Sequence, residues 1–336
     1  MKARCVPLLV LAALVLAGLA AWVAVRENLS ARAESATERV FVVERGAPLT
    51  SIAQALEAAE LIRNARAFGW LARWRGQAEG LRAGEYRLSA ALPASEILDR
   101  LVAGRVVTYE VVVPEGFTMA QIGARLAALD LVEEEEFAAA VRDPELIGSL
   151  GFGSESLEGY LYPETYRLPR GLTAAAIARV LVTHFERAWN ALEPAAIVRE
   201  LDQHSAVILA SIVEKETGIP EERPLIASVF ANRLARGMRL ESDPTVIYGI
   251  QDFDGNLRRN DLDDPGNPYN TYRHLGLPPG PISNPGRASL RAALAPAQSD
   301  YLYFVSKNDG SHAFSRTYRE HVNAVNRYQR ARRSGR

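Results

Sequence analysis

From Cys5 to Val25 the chain reads CVPLLVLAALVLAGLAAWVAV and carries no charged side chain. As a helix these 21 residues span about 30 Å, the thickness of one hydrocarbon core. Lys2 and Arg4 precede the run and Arg26 follows it. Basic residues favour the cytoplasmic side, so the tip is expected in the cytoplasm and everything after Arg26 outside it. A cleaved secretory leader has a shorter apolar region, ~7–15 residues. Cys5 also stands ahead of the run, whereas a lipid-bearing cysteine follows a cleavage site. The expectation is a retained single-pass anchor. Residues 1–26 form tip and anchor, and ENLSARAESATE (27–38) reads as a polar linker.

Past the linker, one design occurs twice. RVFVVERGAPLTSIAQALEAAELI begins at Arg39 and YEVVVPEGFTMAQIGARLAALDLV at Tyr109. Each is a β-branched run, a glycine turn and a helical pattern. Gly46, Leu49, Ile52, Leu56, Leu61 and Ile62 align without a gap on Gly116, Met119, Ile122, Leu126, Leu131 and Val132. Such self-similarity marks a duplicated strand-turn-helix unit. LRAGEYRLSAALPASEILDRLVAG adds a second short strand and a helix, so residues 39–105 make a small α+β module.

The remainder, 106–332, reads as a larger mixed α/β domain that opens on the second repeat copy (106–132). Helices are expected over 133–150, 173–193, 195–217 and 222–236. Residues 238–286 are rich in Gly, Pro, Asn and Asp, and their interleaved Tyr, Ile and Leu point to an ordered functional loop region. A strand in DYLYFVSK and a closing helix (316–332) end the domain, and the basic RYQRARRSGR tail reads as solvated.

Composition removes several kinds of chemistry. Lys plus Arg is 39 against 40 Asp plus Glu, a net charge of −1, so no global field recruits nucleic acid. Cys5 is the only cysteine and the five histidines are scattered, leaving no disulfide framework and no cysteine-based metal site. No metalloprotease, serine-hydrolase or nucleotide-binding signature occurs, and no cofactor or metal is expected. Acidic residues remain.

Glu214 and Glu216 close the apolar run AVILASIVEKE just before Gly218 and Pro220. At 100° per residue they are 200° apart around a helix, so they cannot form one paired site. Glu216 continues the stripe of Ile208 and Ile212. A helix C-terminus carries partial negative charge and apolar neighbours penalise ionisation, so both effects favour the protonated acid that a glycosidase needs. A solvated cap fits the same spacing. Tyr160, Tyr162, Tyr166, Tyr269 and Tyr272 offer rings for stacking on sugars, with Asn270 and Asp243 to bond hydroxyls. Half-buried packing explains tyrosines equally well. Glu158 and Glu164 fit turn positions, and His274 fits a surface loop.

Taken together, EGFTMAQIGARL, LEGYLYPETY, ILASIVEKET, VFANRLARGMRLESDPTVIYGI, YNTYRHLGLPPGPISNPG and YLYFVSKNDGSHAFSRTYREH resemble the endolytic murein transglycosylase (MltG, YceG-like) family. The resemblance implies a single-pass inner-membrane protein with its N-terminus in the cytoplasm and its catalytic domain in the periplasm. It also implies that the module at 39–105, and the second unit at 106–132, are LysM-like. The implied activity is lytic cleavage of MurNAc-GlcNAc β-1,4 bonds within nascent glycan strands, giving 1,6-anhydroMurNAc ends that terminate elongation. The second Glu of EKET, Glu216, is then the catalytic acid. Glu158, Tyr162, Asp243, Tyr269, Asn270 and Tyr272 are the expected substrate contacts, and a peptidoglycan synthase is an expected partner. A hydrolytic muramidase with Asp243 or Glu158 as second carboxylate is the first rival, and a non-catalytic wall-binding scaffold the second.

Overall fold

A computed structural model describes residues 5–192 and 201–330. Lys2 and Arg4, the expected helix over 195–200 and the last six residues of the basic tail lie outside the described residues. The chain divides into two compact units. One runs to Tyr109 and takes in Pro169–Gly171, and the other holds Glu110–Leu168 and the chain from Leu172 on.

The first unit begins with α1 (Cys5–Leu29), followed by β1 (Arg39–Val43), α2 (Leu49–Ala58), α3 (Ala65–Trp74), β2 (Gly84–Leu88) and α4 (Ala94–Ala103). Within α1, Leu11–Leu29 is long and apolar enough to cross a membrane, and none of it is buried. β1 and β2 pair antiparallel, with Arg39 opposite Leu88 and Val43 opposite Gly84. The period-2 alternation sends Phe41, Val43, Tyr86 and Leu88 inward, leaving Val40 and Val42 outside. Three helices cover that inner face with Ile52 and Leu56, Phe68 and Leu71, and Ile97, Leu98 and Leu101.

The segment expected as a linker is pinned to this unit. The N–H groups of Arg32 and Ala33 donate to the Ala90 carbonyl at 2.9 and 3.0 Å. The Ser89 hydroxyl donates to Ala36 O at 2.8 Å, and Arg63 donates to Ala31 O. Each bond fixes backbone that a polar linker would leave to water.

In the second unit, β3 (Tyr109–Val112) pairs with β4 (Thr165–Leu168), and between them lie α5 (Met119–Ala127), α6 (Glu134–Ala140) and α7 (Pro144–Ser149). The single helix expected over 133–150 is two. Pro144 cannot continue a helix, and Asp143 caps the new start by accepting the Glu145 N–H. After β4 come α8 (Ala174–Asn190), α9 (Gln203–Glu216), a 3₁₀ turn (Pro220–Glu222) and α10 (Arg223–Ala235). The loop-rich region contains α11 (Asp243–Tyr248) and α12 (Arg259–Asp263). Then follow α13 (Arg287–Leu294), the antiparallel pair β5 (Tyr303–Ser306) and β6 (His312–Ser315), and α14 (Tyr318–Val325), which runs into a π turn (Asn326–Arg330).

The aligned repeat positions do the same physical job. Gly46 and Gly116 both turn with positive φ, 76° and 75°, a conformation glycine adopts without a Cβ penalty. Glu60 and Asp130 each take a left-handed residue after the helix, at φ 58° and 51°. Leu61 and Leu131 then turn inward and are buried, as are Ile52 with Ile122 and Leu56 with Leu126. Leu49 is half-exposed whereas Met119 is buried.

α9 is the central helix of this unit. Asp202 starts it by accepting the Ser205 N–H at 2.7 Å. Every residue from Ala206 to Val213 is buried, as befits a helix that is apolar all round. It packs against α13, α10 and α11.

Candidate active site

Glu216 is the last helical residue of α9; Thr217 is already extended, at φ −147° and ψ 138°. The carboxylate is half-buried, and the Ser242 hydroxyl donates to its Oε1 at 2.5 Å. Ser242 precedes α11 and is itself fixed. Its N–H donates to Thr271 Oγ1 at 3.0 Å, and its carbonyl accepts from Thr245 Oγ1 at 2.7 Å. The buried Arg233 fastens the approach to Ser242, donating to the carbonyls of Arg239 and Leu240 and to the Glu241 carboxylate. Asp243, exposed at the first position of α11, accepts from the Tyr272 hydroxyl at 2.6 Å. Glu216, Ser242, Asp243 and Tyr272 thus form one cluster.

Burial pushes the Glu216 carboxyl up to about 7; the Ser242 hydrogen bond opposes that rise, the Asp243 charge adds to it and Arg233 opposes it. The acid is therefore poised between its two forms at neutral pH, which suits a group that must both give and take a proton. Glu214, two residues earlier, faces elsewhere. It accepts from Arg223 at 3.2 Å and from the Gly286 N–H at 2.9 Å, a buried pair that ties α9 to α10 and α13.

Glu158 and Tyr269 belong to a second cluster. The Glu158 side chain is 1 % exposed and saturated. It accepts the Met119 N–H at 3.0 and 3.1 Å, Asn284 Nδ2 at 2.8 Å and the Tyr248 hydroxyl at 3.1 Å. Burial raises it to about 7, and these donors limit the rise. Such a carboxylate caps α5 and, through Tyr248, holds the far end of α11, the helix that presents Asp243. It has no surface to offer a substrate. Tyr269 packs edge-on against Tyr248 with ring centroids 4.8 Å apart, and both line a pocket with Arg142, Ser156, His204 and Pro281.

The other expected contacts support these clusters from behind or stand away from them; Asn270 does the former, its Oδ1 accepting the Tyr272 N–H at 3.0 Å. Asn270 is fully buried, and its Nδ2 donates to the carbonyls of Asp261, Leu262 and Asp264, so it shapes the loop. Tyr162 is half-buried beside Tyr166, whose hydroxyl donates to its carbonyl. Tyr160 and Tyr166 are core residues, and the exposed His274 bonds the Pro265 carbonyl. Spacing missed Ser242, Arg233, Tyr248 and Asn284. All four nevertheless fall inside the motifs that carry the resemblance: Arg233, Ser242 and Tyr248 in VFANRLARGMRLESDPTVIYGI and Asn284 in YNTYRHLGLPPGPISNPG. Among the described residues no group of three or more His, Cys, Asp or Glu is arranged to hold a metal.

Two carboxyls held near 7 against an ordinary 4.5 make folding stability depend on pH. Below 4.5 both are neutral folded or unfolded and incur no penalty. As pH rises from 4.5 to 7 the unfolded chain ionises first, so stability falls, by up to about 3 kcal/mol for each group. Above 7 the loss is complete and the curve levels. Thermal unfolding of the purified protein should therefore show a Tm that is higher at pH 4.5 than at pH 7.5 and declines between them, with Glu158→Gln flattening the decline. A Tm that stays level across this range would contradict the burial described.

Comparison with known proteins decides the family. The model of the YceG-like family matches residues 41–327. The chain belongs to the YceG-like family. A relative from Bacillus subtilis (strain 168), named endolytic murein transglycosylase, is 31% identical over 302 residues, covering 85% of this chain and 83% of its own. A relative of the same name from Streptococcus pneumoniae serotype 2 is 28% identical over 322 residues, covering 84% of this chain but only 58% of its own. A crystal structure of a YceG-like protein from Listeria monocytogenes superposes with a TM-score of 0.59 at 34% identity, covering 86% of this chain and 99% of that one. The family expected from the motifs is the family found.

Proposed function

We propose that this YceG-like chain is a membrane-anchored lytic transglycosylase acting on peptidoglycan. It cuts MurNAc-GlcNAc β-1,4 bonds within nascent glycan strands and leaves 1,6-anhydroMurNAc ends that stop elongation. The observation that carries this reading is Glu216: a half-buried acid poised near neutrality at the end of α9, in a chain whose curated relatives bear the name endolytic murein transglycosylase.

The chemistry follows from one carboxyl group. Ser242 occupies Oε1, which leaves Oε2 for the proton. Glu216 donates that proton to the glycosidic oxygen as the bond to C1 breaks. The resulting carboxylate takes the proton of the C6 hydroxyl on the same MurNAc, and the C6 oxygen closes on C1. The acid is regenerated and no water is consumed. Ordinary glycosidases need two carboxylates because water or the enzyme supplies the nucleophile; here the substrate supplies it. Tyr272, held by Asp243, offers a ring and a hydroxyl beside the acid.

Mass analysis of products from uncrosslinked glycan strands tests the reaction. Lytic ends are lighter by one water than hydrolysed ends. Fully hydrated products would replace the lyase with a muramidase, and absence of any turnover would leave a wall-binding scaffold.

The remaining assignments belong to the same reading. α1 anchors the chain in the bacterial inner membrane, the N-terminus is cytoplasmic, the catalytic domain (106–332) works in the periplasm and a peptidoglycan synthase is its partner. The module at 39–105 binds glycan in LysM-like fashion, using the pocket at the β1–α2 turn lined by Val43, Gly46, Pro48 and Leu49. Thr50→Glu places an acid at an exposed, pocket-lining position in the first turn of α2, where the helix tolerates it. It should weaken binding to long glycan strands several-fold without lowering Tm. Unchanged affinity would move the glycan site elsewhere.

A further inference from the structure

We propose that one stripe of α3 lies in the phospholipid headgroup layer, beside the point where α1 leaves the membrane. The proposal rests on the reading of α1 as membrane-spanning. Both helices belong to the same compact unit, and they pack against each other. The end of α1 is where its exposure falls: Asn28 and Leu29 are half-buried, and Leu29 packs on the core that Phe68 and Leu71 of α3 help to build.

The opposite side of α3 presents Arg66, Trp70 and Trp74, four residues apart and so on one stripe. Trp70 is 53% and Trp74 71% exposed. Their rings stack at 6.0 Å with an interplanar angle of 6°. Two indoles left in water are a large apolar area to leave uncovered. At a bilayer surface the same groups are satisfied: ring among the headgroups, indole N–H on an ester or phosphate oxygen. The Arg66 guanidinium suits a lipid phosphate, and ARAFGWLARW contains no acid to repel one.

Depth agrees with this placement. Arg26 lies over the Trp22 ring at 5.4 Å, an aromatic and a snorkelling cation together where a helix meets the interface. From Trp22 to Leu29 the helix rises about 10 Å. The headgroup layer is roughly 5–8 Å deep on each side, and side chains extend about 5 Å from a helix axis. A helix packed at Leu29 therefore has its side chains within reach of lipid.

The test uses the full-length protein in nanodiscs of phosphatidylcholine and phosphatidylglycerol. Trp22→Phe with Trp189→Phe leaves Trp70 and Trp74 as the only indoles of the four. Nitroxide on the lipid headgroup should quench their fluorescence several-fold relative to unlabelled lipid, and acrylamide should quench them weakly. A companion protein with Trp70, Trp74 and Trp189 changed to Phe retains Trp22, which nitroxide on the acyl chain should quench. Quenched Trp22 with Trp70 and Trp74 untouched by lipid label and open to acrylamide would overturn the proposal and leave the anchor standing. Unquenched Trp22 would overturn the anchor itself. Protection of Trp70 and Trp74 by soluble glycan strands, with no effect of the lipid label, would reassign the stripe to sugar.

Discussion

Glu216→Gln should abolish strand cleavage while leaving the protein at least as stable as the parent. Glutamine keeps the shape, and its carbonyl oxygen can still accept from Ser242, but it has no proton to exchange. General acid-base assistance by one group is worth ~10²–10⁴-fold, and in the proposed mechanism one group makes both transfers, so a loss at or beyond the top of that range is expected. Stability moves the other way. The parent must bury a carboxyl that ionises at about 7, and the amide removes that cost, so Tm at pH 8 should equal or exceed the parent's. Two companions separate the alternatives. Glu214→Gln weakens the buried pair with Arg223, so it should lower Tm yet retain turnover per folded molecule. Asp243→Asn should retain most turnover. A defect there as deep as that of Glu216→Gln would favour a two-carboxylate hydrolase, and full activity of Glu216→Gln would remove Glu216 from the chemistry.

Gly159→Ala should be a severely destabilising addition of a single methyl group to the second unit. Gly159 has φ +88°, and a Cβ there would stand 2.6 Å from Pro281 Cγ and 2.7 Å from Val207 Cγ1. Neither neighbour can yield: one is a ring, the other a buried branched side chain of α9. Left-handed backbone costs about 1–2 kcal/mol and overpacking about 1–3 more. Together they amount to a Tm decrease on the order of 10 °C. The damage also falls next to Glu158, whose bonds hold α5 and α11. Gly148→Ala is the control, because a Cβ there meets nothing within 4 Å; it should leave Tm unchanged or slightly higher. Equal Tm values for the two variants would mean that Gly159 is not packed as described.

The features legible from residues alone were those whose partners are near in sequence. The apolar helix α1 is a run, the duplicated unit is a period, and the end of α9 is a Gly and a Pro. α3 went unread because its pattern is inverted: NARAFGWLARW turns Trp70 and Trp74 outward, and hydrophobic periodicity counts every tryptophan as inward-facing. β6, four residues of HAFS, is too short to alternate. Partners far along the chain were invisible for a different reason. Ser242 meets Glu216 from 26 residues away, and Glu158 takes its donors from 39, 90 and 126 residues away. No spacing rule reaches that far. Glu158 drew attention as a carboxylate in a Gly- and Pro-punctuated stretch. Its burial and its donors, which only three dimensions reveal, assign it to holding helices in place.

The hydrogen bonds between Leu29 and Arg39 make the attachment of the first unit a ruler rather than a leash. A loose peptide of that length would let its cargo wander on the order of 15 Å. Here Ala31, Arg32, Ala33 and Ala36 are each fastened to the unit that follows. With α1 in the bilayer and glycan in the β1–α2 pocket, as proposed, that pocket would ride at one fixed height above the lipid. Strands would then be sorted by altitude: those emerging close to the membrane fall in register with the pocket, and older layers farther out do not. Inserting a few glycines after Leu29 would blur that selection without touching a single residue that contacts sugar.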